Sequence, residues 1–182
     1  MKVISGILKG RRIEGYDIEG TRPTMDRVKM SIFGSIQDYV KDSIVLDLYA
    51  GSGNLGIEAI SNGASICYFI DHNKKCIDII HHNLRNFKVS DKAVVLYQDS
   101  LKFLKDTKEK FDIIFIDPPY QYSSLNKVFH KIDEYQVLNN NGLLVIEYQI
   151  DSIRDIPSYY TLIKNKKYGD KYVSIYQLKN NK

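Results

Sequence analysis

The chain has 182 residues, 43% hydrophobic and 26% charged, with no tryptophan and a net charge of +4. That is the size of one domain with a proper core, in an ordinary globular composition. No apolar run approaches the ~20 residues that span a bilayer, and MKVISGILKGRR lacks the apolar centre of a signal peptide, so no membrane partner and a cytoplasmic location are expected.

In chain order, KVISGILKGRRI (2–13) holds two short β-branched pieces around Ser-Gly and Lys-Gly, the pattern of a small hairpin. Over 24–40, Val28, Ile32, Ile36, Tyr39 and Val40 form a helical stripe, with Thr24 as the expected N-cap and Asp26 in the first turn. IVLDLYA (44–50) reads as a strand, and GSGNLGIEAISNG as a glycine-rich turn opening a helix that ends at Gly63. SICYFID (65–71) is a second strand, followed by a helix over 73–87. AVVLYQD (93–99) is a third, with a short helix near 100–108, and FDIIFID (111–117) is a fourth. A helix over 123–138, a turn at NNNG and the strand LLVIEY (143–148) follow. Such continuous apolar strands suit a parallel sheet with helices on both faces. The ending differs: 160–178 holds two strand-like pieces joined by a Lys/Gly/Asp-rich turn. With no crossover helix between them, they should form an antiparallel hairpin at one edge. The expectation is a single α/β domain over 1–182, with an N-terminal hairpin and helix extension (1–40) and a core (44–178) built on a mixed seven-stranded sheet.

Cys67 and Cys76 lack CxxC spacing and read as buried or idle thiols. The adjacent rings of His81 and His82 would point about 100° apart on a helix, so no metal is expected. Residues 164–182 carry six lysines against Asp170 alone, and the N-terminal segment adds Lys2, Lys9, Arg11, Arg12, Arg22, Arg27 and Lys29, diluted by four acids. The two ends are either solubilising surface or the frame of a polyanion-binding face.

Gly51-Ser52-Gly53-Asn54-Leu55-Gly56 is a GxGxxG turn, and Asp71 ends the next strand twenty residues after Gly51. That is the pattern in which backbone approaches a dinucleotide and an acid accepts from ribose hydroxyls. Asp47, four residues before Gly51, would repel a pyrophosphate but could pair with an ammonium. Acids at four strand ends (Asp47, Asp71, Asp99, Asp117) therefore suit a cationic adenosine ligand, S-adenosyl-L-methionine, better than a nicotinamide dinucleotide. A non-catalytic RNA-binding module is a further alternative.

DLYAGSGNLGIEA (47–59), the Asp71 and Asp99 strand ends and IFIDPPY (114–120) resemble the class I methyltransferases that modify exocyclic amines. TRPTMDRVKMSIF (21–33) and KGRR (9–12) narrow the resemblance, over nearly the whole chain, to the RsmD-type bacterial 16S ribosomal RNA (guanine-N2)-methyltransferases. Ser5-Gly6 departs from the glycine pair that members tend to carry. The resemblance implies a Rossmann-like fold, S-adenosylmethionine as cofactor, and ribosomal RNA, in the small subunit or an assembly intermediate, as partner. The DPPY box is shared with DNA adenine-N6 methylases, which leaves that substrate open.

It also implies roles. Gly51, Ser52 and Gly53 take the methionine part of the cofactor against the backbone, Asp47 lies near its ammonium, Asp71 accepts from the ribose and Asp99 lies near the adenine. The plainer alternative for each acid, above all Asp99, is to cap the helix that follows it. The exocyclic amine of guanine is a poor nucleophile, because its lone pair is delocalised into the ring. Asp117 and the Pro118 carbonyl would accept from its hydrogens while Pro118 and Pro119 hold the turn rigid. Tyr120 offers a ring on which the extruded base can stack. Arg11, Arg22, Thr24 and Arg27 are the candidate RNA contacts, against an alternative of plain capping and surface charge.

Overall fold

The computed structural model describes residues 1–15, 22–118, 125–149 and 156–179, with backbone alone for 22–24 and 149. Its elements are α1 (Arg22–Val40), β1 (Ile44–Asp47), α2 (Asn54–Ser61), β2 (Ile66–Asp71), α3 (Lys74–Phe87), β3 (Ala93–Tyr97), α4 (Ser100–Asp106), β4 (Phe111–Ile116), α5 (Leu125–Glu134), β5 (Leu138–Gln149), β6 (Tyr160–Tyr168) and β7 (Lys171–Leu178). The seven strands lie in the order β3-β2-β1-β4-β5-β7-β6. The first five pair in parallel, and β7 runs antiparallel to both β5 and β6. The edge hairpin expected from the missing crossover is present, turning at Gly169.

Alternate residues of each strand enter opposite cores. Val45, Ile113, Phe115, Val145 and Val173 pack under α1, α2 and α3 with Ile32, Ile57 and Ile80. Leu46, Ile114, Ile116, Leu144 and Ile146 pack against α4 and α5 through Phe103, Val128 and Ile132. By the same alternation Asp47 shares the face of Val45, Glu147 that of Val145 and Lys171 that of Val173, toward the α1 side.

One expectation is refined and three are corrected. Residues 2–13 fold back as a minimal hairpin: one antiparallel bridge joins Lys2 to Arg12, with Val3 N donating to Arg11 O, Gly10 N to Val3 O and Ile13 N to Met1 O. Side chains of α2 hold this hairpin in place: Glu58 accepts from the Ile4 and Ser5 amides and the Ser5 hydroxyl, and Ser61 Oγ donates to Ser5 O and accepts from Leu8 N. Helix α1 starts at Arg22, so Thr24 is its third residue and not its cap, and Asp26 lies beyond the first turn. NNNG is not a free turn, because β5 runs through it with a bulge against β4, relieved by positive φ at Asn141. Helix α5 ends at Glu134, short of the expected Leu138, which instead opens β5.

Candidate active site

The glycine turn leaves β1 at the carboxyl edge of the sheet. Gly51 has φ +54°, and a Cβ there would meet no described residue within 4 Å, so its backbone is open among the described residues. Gly56 serves packing instead: a Cβ would lie 2.3 Å from Phe69 Cε1 and 2.7 Å from Cys67 Sγ. Asp71 fixes the turn, accepting from Gly51 N (2.9 Å) through Oδ2 and from Asn73 N (2.8 Å) through Oδ1. Asp47 is 2% exposed and accepts from Gly56 N at 2.9 Å. Burial pushes its carboxyl up to about 7; the Gly56 hydrogen bond opposes the shift and nearby Asp71 adds to it. Ser52 is buried, and its carbonyl accepts from Asn83 Nδ2, whose side chain also holds the Glu14 backbone.

Asp117 follows β4. Burial raises its pKa, Glu147 raises it further, Lys171 opposes and Asp47 adds to the rise. Lys171 Nζ lies 3.8 Å from Asp117 Oδ1 and is ion-paired with Glu147. Pro118 is half-buried. Pro119 and Tyr120 lie outside the described residues.

The remaining candidates divide. Asp99 is exposed and caps α4, accepting from Lys102 N at 2.9 Å. Arg11 is bound to the end of α3: its guanidinium donates to Asn86 O (2.5 Å) and Phe87 O (3.3 Å) and lies 4.7 Å from the Phe87 ring. Arg27 is exposed on α1. The side chains of Arg22 and Thr24 are outside the described residues. The backbone of this segment is nevertheless placed. The Lys29 ammonium reaches Asn54 at the start of α2 (2.9 Å), and α1 ends beside the amino end of β1. The seven residues before Lys29 therefore run about 10 Å past it toward the carboxyl edge.

Several residues escape sequence reasoning. Lys29 and Glu58 are 2% and 0% exposed and pair at 2.8 Å. Each sits within an apolar helical stripe, the signal that could have found them. Asn83 and the Lys171–Glu147 pair depend on contacts between distant segments and leave no local signature.

Together the carboxylates crowd one edge beside an open glycine backbone. That arrangement favours a positively charged ligand and offers Asp117 as an acceptor beside it.

The family model described as "Conserved hypothetical protein 95" matches residues 1–177. Among curated relatives, YlbH of Bacillus subtilis is 37% identical over 181 residues, 97% of this chain and 98% of the relative. The Haemophilus influenzae protein named Ribosomal RNA small subunit methyltransferase D is 34% identical, over 97% of this chain and 93% of its own. The chain belongs to the RsmD-type methyltransferase family. The solved structure of Escherichia coli yhhF covers 98% of both chains at 26% identity with a TM-score of 0.89. The architecture is accordingly the Rossmann-like one expected from the sequence. Among the described residues of this family member, no helix is long and apolar enough to cross a membrane.

Proposed function

We propose that the protein transfers a methyl group from S-adenosylmethionine to the exocyclic N2 amine of a guanine in small-subunit ribosomal RNA. The observation that carries this reading is the carboxylate-lined edge in which Asp71 holds the Gly51 amide, Asp47 holds the Gly56 amide and Asp117 feels the charge of Asp47. Asp47 and Asp117 are each held above the usual carboxylate range, and a cationic ligand would relieve both. A pyrophosphate would aggravate them, which disfavours the nicotinamide alternative. Relatives named for small-subunit ribosomal RNA favour RNA over DNA adenine.

When bound, S-adenosylmethionine supplies an electrophilic methyl group on a sulfonium. Gly51, Ser52 and Gly53 would hold its methionine part, with Asp47 toward the ammonium. Asp71, already oriented by two backbone amides, keeps lone pairs for the ribose. Asp99 can reach the adenine only while also capping α4. Asp117 and the Pro118 carbonyl accept from the guanine amine, turning its lone pair out of the ring. The nitrogen would bond to the methyl carbon as the carbon–sulfur bond breaks, leaving S-adenosylhomocysteine as the neutral thioether, and Asp117 would be placed to take the proton shed afterwards. Pro119 stiffens this corner, and Tyr120 stacks the extruded base. Arg22, Thr24 and Arg27, at the projecting start of α1, contact RNA phosphates. Arg11 joins them only where a phosphate shares its guanidinium with α3. The cytoplasm, where ribosomes assemble, is the corresponding location.

The deciding experiment incubates labelled cofactor with small-subunit particles, RNA and competing DNA. The wild type should label RNA as N2-methylguanosine, read by mass spectrometry. Asp117→Ala should lose about a hundredfold or more in transfer while binding S-adenosylhomocysteine as before. Retained transfer in that variant, or label on DNA alone, would refute the assignment.

A further inference from the structure

The turn between β6 and β7 returns Lys171 to the carboxyl edge, opposite Tyr168 on one side and Gln149 on the other. Its ammonium faces the Asp117 carboxylate at 3.8 Å while ion-paired with Glu147. The side chains of Lys171, Asp117 and Glu147 are 25%, 32% and 13% exposed, so solvent screens this group only in part.

The distances distinguish the two carboxylates. Glu147 holds the ammonium directly. At 3.8 Å, Asp117 feels its charge but lies beyond hydrogen-bond reach, so Lys171 does not occupy an acceptor position on Asp117. An ammonium released from Glu147 could close onto Asp117 and compete with a substrate amine. Without any ammonium, Asp117 would face Glu147 and Asp47 uncompensated. We propose that Lys171, clamped by Glu147, is a positioning residue that keeps Asp117 a negatively charged acceptor while leaving its oxygens to the substrate amine.

The charged groups around Asp117 agree. Glu147 from β5 and Asp47 from β1 oppose its ionisation and Lys171 from β7 favours it. Tyr168 adds a phenol opposite Lys171 on β6, and α1, packed over the same face, commits Lys29 to Glu58. The proposal rests on the methyltransferase reading for its consequence in catalysis, but not for the coupling itself.

Two measurements test it on the full chain. The first is the pH dependence of single-turnover methyl transfer. Lys171→Met should move the acidic limb up by about one pH unit, a roughly tenfold loss below the limb that is recovered at higher pH. Lys171→Arg should keep the limb near wild type. Glu147→Gln should move it down, because a carboxylate is removed and the ammonium is freed toward Asp117. The second measurement follows the Asp117 carboxyl carbon by NMR titration, assigned with Asp117→Asn, and needs no RNA. The same opposed shifts are expected there. Coincident titrations in wild type, Lys171→Met and Glu147→Gln, or shifts in one direction for both variants, would overturn the proposal. A wild type that methylates no RNA would overturn the functional reading, and the carboxyl titration would still decide the role of Lys171.

Discussion

Asp47 combines a charge with a place that disfavours it. Its carboxyl is buried and pushed up to about 7, whereas an unfolded aspartate titrates near 3.9. Between those values the folded chain keeps a proton that the unfolded chain has released. Stability therefore falls as pH rises from about 4 to about 7 and levels off above. A cationic ligand favours the ionised form, so its binding should release a proton below pH 7 and tighten as pH rises toward that value. Asp47→Asn keeps an acceptor for Gly56 N and removes the charge. Scanning calorimetry should show a higher Tm than wild type at pH 8 and a flatter profile between pH 4 and 7. Titration calorimetry should show S-adenosylhomocysteine weakened about 30-fold, the lower end of what losing one partner of a buried charge pair costs. Unchanged affinity would remove Asp47 from the cofactor site. Asp47 and Asp71 were legible in the sequence because strand ends and glycine spacing are local patterns. Lys171 was not, since its meeting with Asp117 depends on how a distant hairpin docks. Asp99 shows the converse: the sequence allowed it two roles, and the geometry shows it capping α4.

The N-terminal segment, α1 and α2 are joined through one buried charge pair. Lys29 donates to Glu58 Oε2 (2.8 Å), Asn54 Oδ1 (2.9 Å) and Lys2 O (2.6 Å), while Glu58 gathers the amides of Ile4 and Ser5. Asn54 directly follows Gly53 of the glycine turn, so the latch also fixes α1 against that turn. The stripe of α1 was readable from its apolar spacing. Lys29 still read as one more surface cation, because sequence periodicity does not reveal that an ammonium inside a stripe has a carboxylate waiting. The first segment closes on itself as a minimal hairpin, and what the sequence did not show is its docking: beside the cross-hairpin bonds of Val3 and Ile13, the amides of Ile4, Ser5 and Leu8 are taken by Glu58 and Ser61 of a distant helix. Lys29→Met leaves Glu58 buried without its cation, and urea unfolding should report a loss of about 3–5 kcal/mol. Adding Glu58→Gln should recover part of that loss, because the remaining amide carries no charge. A single variant as stable as wild type would show that the pair contributes no net stability.

At the scale of the molecule, the five parallel strands were legible as apolar runs spaced by glycine turns and helical stripes, and the edge hairpin as two strands without a crossover. What could not be read was which of the many terminal lysines face outward. The fold separates them. Lys164 is directed onto α1, donating to Ser31 O, Ser31 Oγ and Ser35 Oγ, and Lys171 is directed to Glu147. Lys166 and Lys167 remain exposed, lying over the rings of Tyr168 (5.4 Å) and Tyr172 (5.7 Å), with Tyr172 stacked on Tyr148. Lys166 with Tyr168 lies on the face that carries Lys171 to Asp117 and Lys167 with Tyr172 on the opposite one, so an RNA strand leaving the site would meet both cations where it wraps the end of the hairpin. Each phosphate contact contributes about 0.7–0.9 to the slope of log affinity against log salt. Lys166→Glu combined with Lys167→Glu should therefore weaken binding to small-subunit RNA at low salt and flatten that slope by about 1.5, measured by filter binding across a salt series. S-adenosylhomocysteine affinity should stay at the wild-type value, because neither lysine belongs to the glycine turn or its acids. A double variant with an unaltered salt slope would confine RNA contact to the α1 end of the molecule and reduce the hairpin lysines to solvation.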